Sequence, residues 1–324
     1  MDIFRKKDII AAIHREGGFS KAAKVLRIAQ PSLSVMVSGI ESDIGARLFD
    51  RSTNPIRLTQ IGEKYLECCE SISIIEDDFM DYVNEINGLE TGEIALGGNT
   101  LYISNIIPKI LSEFSEKHPG VHVSLFDHDS PSLIEMLYSG EIDIAIDNLP
   151  EDNSKLDKHY LGTEYLLIAV PVDYSINDRL SDYSYTYFDI TRGIHVDVSK
   201  PYLTNLSLFR NQPFILLQEG FDTRKRCDAI FDDYKLDVKS KYEFNQLSSA
   251  FGMAASGLGI TVVSDTLIKY SPDWGSKMRY YAVRSPESIR DVFYYTRKHR
   301  MMSRALKEFI EISQLQQPLT LQRK

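Results

Sequence analysis

Between Thr59 and Asn87 the chain carries no proline, and Tyr65, Cys68, Ile72, Ile75, Phe79, Tyr82 and Ile86 follow one another in steps of three and four. An α-helix brings residues at that spacing onto one side, so three consecutive heptads make one apolar seam. A seam this long on a helix between two other regions predicts a coiled-coil contact with a second copy of the chain. It also divides the chain into something before about residue 60 and something after Gly88 and Gly92, which mark the exit. A length of 324 residues with 43% apolar content suits two or three packed domains.

The region before the seam reads as short helices. Ile9, Ile10, Ala12 and Ile13 have helical spacing, and Gly17-Gly18 ends that segment. Ser20 offers an N-cap for a helix over Lys21–Leu26. After the turn Arg27-Ile28-Ala29, Pro31 sits at an early helical position, where its missing N–H costs little. Leu33, Val37, Ile40 and Ile44 then form one buried face, and Gly45 stops the helix. Two short helices joined by a short turn, the second with an apolar inner face, make a helix-turn-helix. Small Ala22 and Ala23 allow the two to cross closely. Two extended runs between Arg47 and Leu58 flank Asn54-Pro55 as a β-wing, and Thr59 caps the long helix, with Glu63 supporting its start.

Beyond Gly92, strands and helices alternate. Glu93–Leu96, Val121–Phe126 and Ile142–Ile146 read as strands, with helices at Ser104–His118 and Ser132–Tyr138 between them. A second round follows: strands Phe214–Leu217, Lys239–Phe244 and Ile260–Val263, helices Thr223–Tyr234 and Leu247–Ala255. Such βαβαβ rounds imply mainly parallel sheets with helices on their faces. Two of them predict two lobes with a cleft between. Tyr165–Val170 is the candidate crossover, and the chain after Val263 returns to the first lobe and ends in a helix over Ser303–Ile312.

The net charge of −9 argues against nucleic acid until it is divided. Residues 1–60 hold ten Lys/Arg against six Asp/Glu, a net of +4; the remainder holds 27 against 40, a net of −13. A basic head on an acidic body fits a DNA-binding module joined to a region with another task. Three cysteines, Cys68, Cys69 and Cys227, form no disulfide framework, and the region after the seam holds only Cys227, so it cannot pair with itself as a redox switch. No signal segment or membrane span is legible, which points to the cytoplasm. Seven scattered histidines, including His122 and His128 in the Asp127-His128-Asp129 run, lack metal-ligand spacing. Gly252, Gly257 and Gly259 make no dinucleotide fingerprint, and no nucleophilic triad can be assembled. Neither an enzyme nor a cofactor is expected.

Gly18-Phe19-Ser20-Lys21-Ala22-Ala23 through Leu26, Gln30-Pro31-Ser32-Leu33-Ser34, Ile40-Glu41, Gly45-Ala46-Arg47-Leu48-Phe49-Asp50-Arg51 and Leu58-Thr59-Gln60-Ile61-Gly62 share a set of fixed spacings. In these the chain resembles the LysR-type transcriptional regulators. Pro119-Gly120-Val121, Gly140 to Ile146 and Gly257-Leu258-Gly259-Ile260 match more loosely. Two positions depart from the family pattern: Ala29 stands where Ser or Thr is common, and Val35 where many members carry Arg, which weakens guanine reading.

The resemblance implies a winged helix-turn-helix over 1–59, a dimerisation helix over 60–88, and a two-lobed periplasmic-binding-protein-like α/β domain over 92–310. Lobe I is expected over about 92–164 and 268–310, and lobe II over about 165–267. Gln30, Pro31, Ser32, Ser34, Val35 and Ser38 would face the major groove, with Lys21, Lys24, Arg51 and Arg57 on phosphates or the minor groove. A dimer, or a tetramer built from it, would read an imperfect inverted repeat. The cleft would hold a small effector, expected to be anionic or zwitterionic. Asn99, Thr100, Leu101 and Ser104 would meet it at a helix start, with Asn148 and Asn245 at strand ends and Glu219, Gly220 and Phe221 in lobe II. A solute-binding transport component is the competing reading; the basic head and missing signal oppose it.

Overall fold

The computed structural model describes residues 3–53, 55–86, 92–149, 155–298 and 302–319. The chain divides into two units, Met1–Gly88 and Leu89–Lys324.

In the first unit, α1 (Lys7–Glu16) ends where Gly17 turns left-handed at φ 65°. The next helix, α2, spans Phe19–Val25, two residues earlier than the sequence suggests. Gly18 takes the cap position and Ser20 lies exposed in the first turn, because burying Phe19 draws the helix start forward. Helix α3 (Gln30–Ile44) carries Pro31 in its first turn and closes on Gly45 at φ 78°. Ile10, Ile13, Ala22, Ala23, Leu33, Val37 and Ile40 pack into one core with Leu48 and Phe49. The wing is the two-residue pair β1 (Phe49–Asp50) and β2 (Arg57–Leu58), antiparallel. Asn54, at its tip, lies outside the described residues.

Helix α4 (Gln60–Ile86) is the predicted long helix. Its seam has two parts. Tyr65 is buried in the winged core, whereas Ile75, Phe79 and Tyr82 are 66%, 64% and 51% exposed. Of Ile86 only its place at the end of the helix is described, and Gly88 lies outside the described residues.

The second unit begins with β3 (Gly92–Gly98), α5 (Thr100–Asn105), α6 (Ile107–Lys117), β4 (Val121–Asp127), α7 (Ser130–Ser139) and β5 (Ile144–Asp147). Two helices stand where one was expected over Ser104–His118. Asn99 caps the first with its side chain, and Pro108, which has no N–H to offer, breaks the ladder and starts the second. The sixteen-residue strand β6 (Leu156–Pro171) follows. Next come α8 (Ile176–Arg179), β7 (Ser184–Tyr185), α9 (Tyr187–Thr191), β8 (Phe214–Leu217), α10 (Asp222–Asp233) and β9 (Ser240–Phe244). The chain ends with α11 (Leu247–Ala255), β10 (Thr261–Ser264), α12 (Asp265–Lys269), α13 (Pro272–Gly275), β11 (Met278–Tyr281), β12 (Ile289–Arg297) and α14 (Arg304–Gln316).

One strand serves both lobes. The first part of β6 pairs with β12 in the lobe I order β4-β3-β5-β12-β6, where β3 runs parallel to β4 and β5. Its last six residues pair with β10 and β11 in lobe II, where β8 and β9 are parallel and Phe214 bridges to Ile260. Each lobe has apolar cores on both sheet faces. The first crossover thus falls within the predicted Tyr165–Val170 run. The return does not fall at 268: α12 and β11 stay with lobe II, and the chain re-enters lobe I only with β12 at Ile289. The sequence has no proline or glycine cluster at 268 to mark a boundary, and strand pairing alone places it. No helix among the described residues is long and apolar enough to cross a membrane.

Gly62 locks the wing to α4. A Cβ there would stand 2.0 Å from the Leu48 carbonyl oxygen. Beside it the Thr59 hydroxyl donates to the Arg47 carbonyl at 2.7 Å and accepts from the Gly62 N–H at 3.0 Å. Gly62→Ala is therefore expected to lower stability by about 1–3 kcal/mol through forced separation of wing and helix. Thermal unfolding followed by circular dichroism measures this, and an unchanged midpoint would refute the close approach.

Candidate functional site

The outer face of α3 is the first candidate surface. Burial of Leu33, Val37 and Ile40 turns Gln30, Pro31, Ser32, Val35 and Ser38 to solvent, with Val35 at 72% exposure and Ser34 half-buried. The Gln30 amide donates weakly to the Ser34 hydroxyl, at 3.4 Å. Ala29 is the extended N-cap and supplies no side-chain bond, so the first N–H groups of α3 have no side-chain acceptor from that position. Lys21, Lys24 and Arg57 are exposed.

Arg51, expected on a phosphate or in the minor groove, keeps 39% of its side chain exposed and also makes an internal contact. Its guanidinium donates to Glu41 Oε2 at 3.0 Å and lies 5.1 Å from the Phe19 ring centroid. Glu41 Oε1 accepts from the Leu48 and Phe49 N–H groups at 2.9 and 3.3 Å. An acid on the buried side of α3 therefore holds the root of the wing. The sequence signal was that acid following Ile40 inside an apolar face, and motif matching read through it.

The second candidate is a cavity of about 740 Å³ between the two lobes. Asn99, Thr100, Leu101, Ser104, Asn148, Phe221 and Asn245 line it, as expected from the sequence. Glu219 and Gly220 do not. Both are exposed in a turn where Gly220 takes φ 98°, and that turn carries Glu219 away while delivering Phe221 and Asp222.

The sequence reading missed the charged wall. Asp127, Asp129, Asp147, Asp222 and Arg290 line the cavity. Arg290, on β12, is buried and bonds through Nε and Nη2 to Glu164 Oε2 at 2.8 and 2.7 Å. Its Nη1 reaches Asp222 at 2.9 Å and the Thr223 hydroxyl at 3.1 Å. The Asn148 amide of lobe I donates to the same Asp222 at 2.8 Å, so Asp222 joins both lobes. Burial alone would raise its carboxyl pKa; the charges of Arg290 and Arg226 outweigh that and hold it low. Tyr102 donates to Glu164 at 3.1 Å, and burial followed by the Glu164 charge pushes its phenol well above the usual range. The sequence signal for this network was a buried arginine, Arg290, near the start of an aromatic-rich strand.

The expected anion site at the start of α5 is not available as foreseen. Asn99 Oδ1 already accepts from the Leu101 and Tyr102 N–H groups at 3.1 and 3.4 Å. The Thr100 hydroxyl donates to the Asp127 carboxylate at 2.9 Å. Cys227 is buried, and burial pushes its thiol up to about 12. Among the described residues no group of His, Cys, Asp and Glu is placed to hold a metal ion.

These features have counterparts among known proteins. A model of the LysR substrate binding domain matches residues 87–188 and 195–316, and a model of the bacterial regulatory helix-turn-helix of the lysR family matches 4–63. YcgK, an uncharacterized HTH-type transcriptional regulator of Bacillus subtilis (strain 168), is 29% identical over 313 residues, spanning 97% of this chain and 94% of its own length. A full-length OxyR variant from Pseudomonas aeruginosa is similar in structure with a TM-score of 0.67 and 19% identity, covering 97% of this chain and 95% of that one. Full-length CbnR, solved in complex with its target DNA, gives a TM-score of 0.56 at 18% identity, covering 96% and 99%. At such identities the two structures speak to the fold alone.

Removing Arg290 would strand Glu164, which is fully buried. Arg290→Met is expected to cost about 3–5 kcal/mol in the stability of the two-lobed unit. The sole tryptophan, Trp274, lies in that unit, so denaturant unfolding followed by its fluorescence reads this change directly. A loss below about 1 kcal/mol would mean that water reaches Glu164.

Proposed function

The chain belongs to the LysR family of DNA-binding transcriptional regulators, and on that footing we propose how its residues divide the work. Helix α3 enters the major groove, with Gln30, Ser32, Ser34, Val35 and Ser38 toward base edges and Pro31 at the groove entrance. Gln30 pairs with adenine, and Val35 touches a thymine methyl in place of an arginine on guanine. Lys21, Lys24 and Arg57 take phosphates, and the open N–H groups of α3 behind Ala29 can take another. Arg51 acts through Glu41, as the support of the wing.

The observation that carries this reading is the outer face of α3, where uncharged side chains stand exposed over a fully packed inner face. Bases are read by such neutral donors, acceptors and methyls, while phosphates supply most of the affinity. Exposed Ile75, Phe79 and Tyr82 support dimerisation through α4, giving 1–59 as the reading head, 60–88 as the dimer helix and the remainder as the sensor. The dimer, or a tetramer of two such dimers, then meets an imperfect inverted repeat on cytoplasmic DNA. The inter-lobe cavity takes a small effector against Thr100, Leu101, Ser104, Asn148, Phe221 and Asn245, with Asn99 shaping the start of α5. An effector that favours one lobe arrangement shifts the regulator's population toward it. The helix-turn-helix match leaves a solute-binding transport role without support.

Two variants separate reading from assembly. Gln30→Ala is expected to weaken specific binding by about 10–100-fold while leaving salt-dependent, non-specific binding and the dimer intact. Footprinting on the promoter beside the gene measures the first, and light scattering the second. Phe79→Asp is expected to yield monomers at micromolar concentration, since a charge enters the apolar seam. A Phe79→Asp protein that stays dimeric would place the self-contact elsewhere.

A further inference from the structure

The cavity between the lobes is electrostatically one-sided. Four carboxylates line it, those of Asp127, Asp129, Asp147 and Asp222, against one guanidinium, that of Arg290, and one imidazole, that of His128. Arg290 is already matched, by Glu164 behind it and by Asp222 beside it. Asp222 is further bridged by Arg226 at 3.1 Å.

Asp147 and Asp127 are different. Asp147 is completely buried, at the end of β5. Its carboxylate accepts only from neutral donors: the Ser130 hydroxyl at 2.6 Å, the Asn148 N–H at 2.8 Å and the Asn99 amide at 3.5 Å. Among the described residues Asp127 accepts from the Thr100 hydroxyl alone. Among the described residues no lysine or arginine contacts either one. A buried carboxylate faces a large desolvation cost that neutral donors offset only partly; an opposite charge completes the balance. Burial pushes the Asp147 carboxyl upward, and the Ser130 and Asn148 hydrogen bonds and the more distant Arg290 charge only partly offset it.

Two of the helix starts that would draw an anion into the cavity already hold acceptors of their own. Asn99 caps α5, and Asp129 caps α7 through the Ser132 N–H at 3.1 Å. The first residue of α10 is itself Asp222. Among the described residues α10, α11 and the short α13 start there without a side-chain cap, and of these α10 opens on the acid Asp222 while α11 opens behind the neutral Gln246. Phe221 and Trp274 also line the cavity, and aromatic rings favour a neighbouring cation.

Resting on the proposed effector role of this cavity, we infer that its ligand carries at least one ammonium group, seated against Asp147 and Asp127, and that plain carboxylic acids are excluded. A second pole, amine or carboxylate, reaches lobe II, where the start of α11 accommodates a carboxylate.

Trp274 reports on this site directly. The full-length protein is titrated with three series of equal chain length: α,ω-diamines, ω-amino acids and α,ω-dicarboxylates. Trp274 fluorescence and the thermal midpoint are both read. Diamines or ω-amino acids are expected to give a saturable change and a raised Tm, and dicarboxylates none. Asp147→Asn and, separately, the exposed Asp127→Asn are each expected to weaken amine binding by about 10–100-fold, the loss of a charge-assisted hydrogen bond. Asp127→Asn keeps the test sound if burial makes Asp147→Asn unstable. Dicarboxylates binding as well as the amines would overturn the inference and leave the effector role standing. Amine binding untouched by both variants would overturn it too, as would silence from all three series. The effector role itself falls only if a broad metabolite panel also moves neither signal.

Discussion

Everything in the second unit depends on one strand serving two sheets. The register of β6 commits Leu156 to Tyr165 to β12 and Leu166 to Pro171 to β10 and β11. Its hydrogen bonds change partners within a single peptide or two, so the two sheets must diverge there. The cleft lies where they part, and β12 returns the chain across the same place with Arg290 one residue into the strand. Glu164 on β6 and Arg290 on β12 are cross-strand partners in the register. Their ion pair therefore sits at the junction itself, and Asp222 and Asn148 attach the lobes around it.

The division of charge follows the division of labour. The head keeps most of its positive groups, Lys21, Lys24 and Arg57 among them, on exposed side chains, where they cost little in solvation and remain available to phosphates. Glu41, an acid drawn into its core, is answered by Arg51 and two backbone N–H groups. The body collects acids around its cavity and matches some of them internally. The same rule, that a buried charge needs partners, makes Glu41 and Glu164 structural and leaves Asp147 facing the cavity with neutral donors alone.

Much of this was legible in residue order. Periodicity located α4, α3 and both βαβ rounds, and strand Phe214–Leu217 and helix Leu247–Ala255 match to the residue. Such elements are legible because burial of one face repeats at the period of the backbone. Local chemistry explains the misreadings. Pro108 lies within a helical apolar pattern and breaks it, and burial of Phe19 outweighed the capping potential of Ser20. The cavity was legible at the strand ends, since loops after parallel strands converge there. Its charged wall was not: Asp147 precedes Asn148, Asp222 follows Phe221, and Arg290 lies far along the chain. Only the register of β12 brings the last to the others, and long-range pairing leaves no local pattern.

The contact at Gly62 reaches beyond the stability of the wing. With no side chain between the first turn of α4 and the Leu48 carbonyl, and with Thr59 bonded to both, β1 and the start of α4 share a single hinge-free joint. A helix gripped at its root behaves as a crankshaft: rolling it about its axis swings whatever is bolted to the end. In the proposed dimer through α4, a roll of one helix against the other would therefore be passed to the wing that this joint holds.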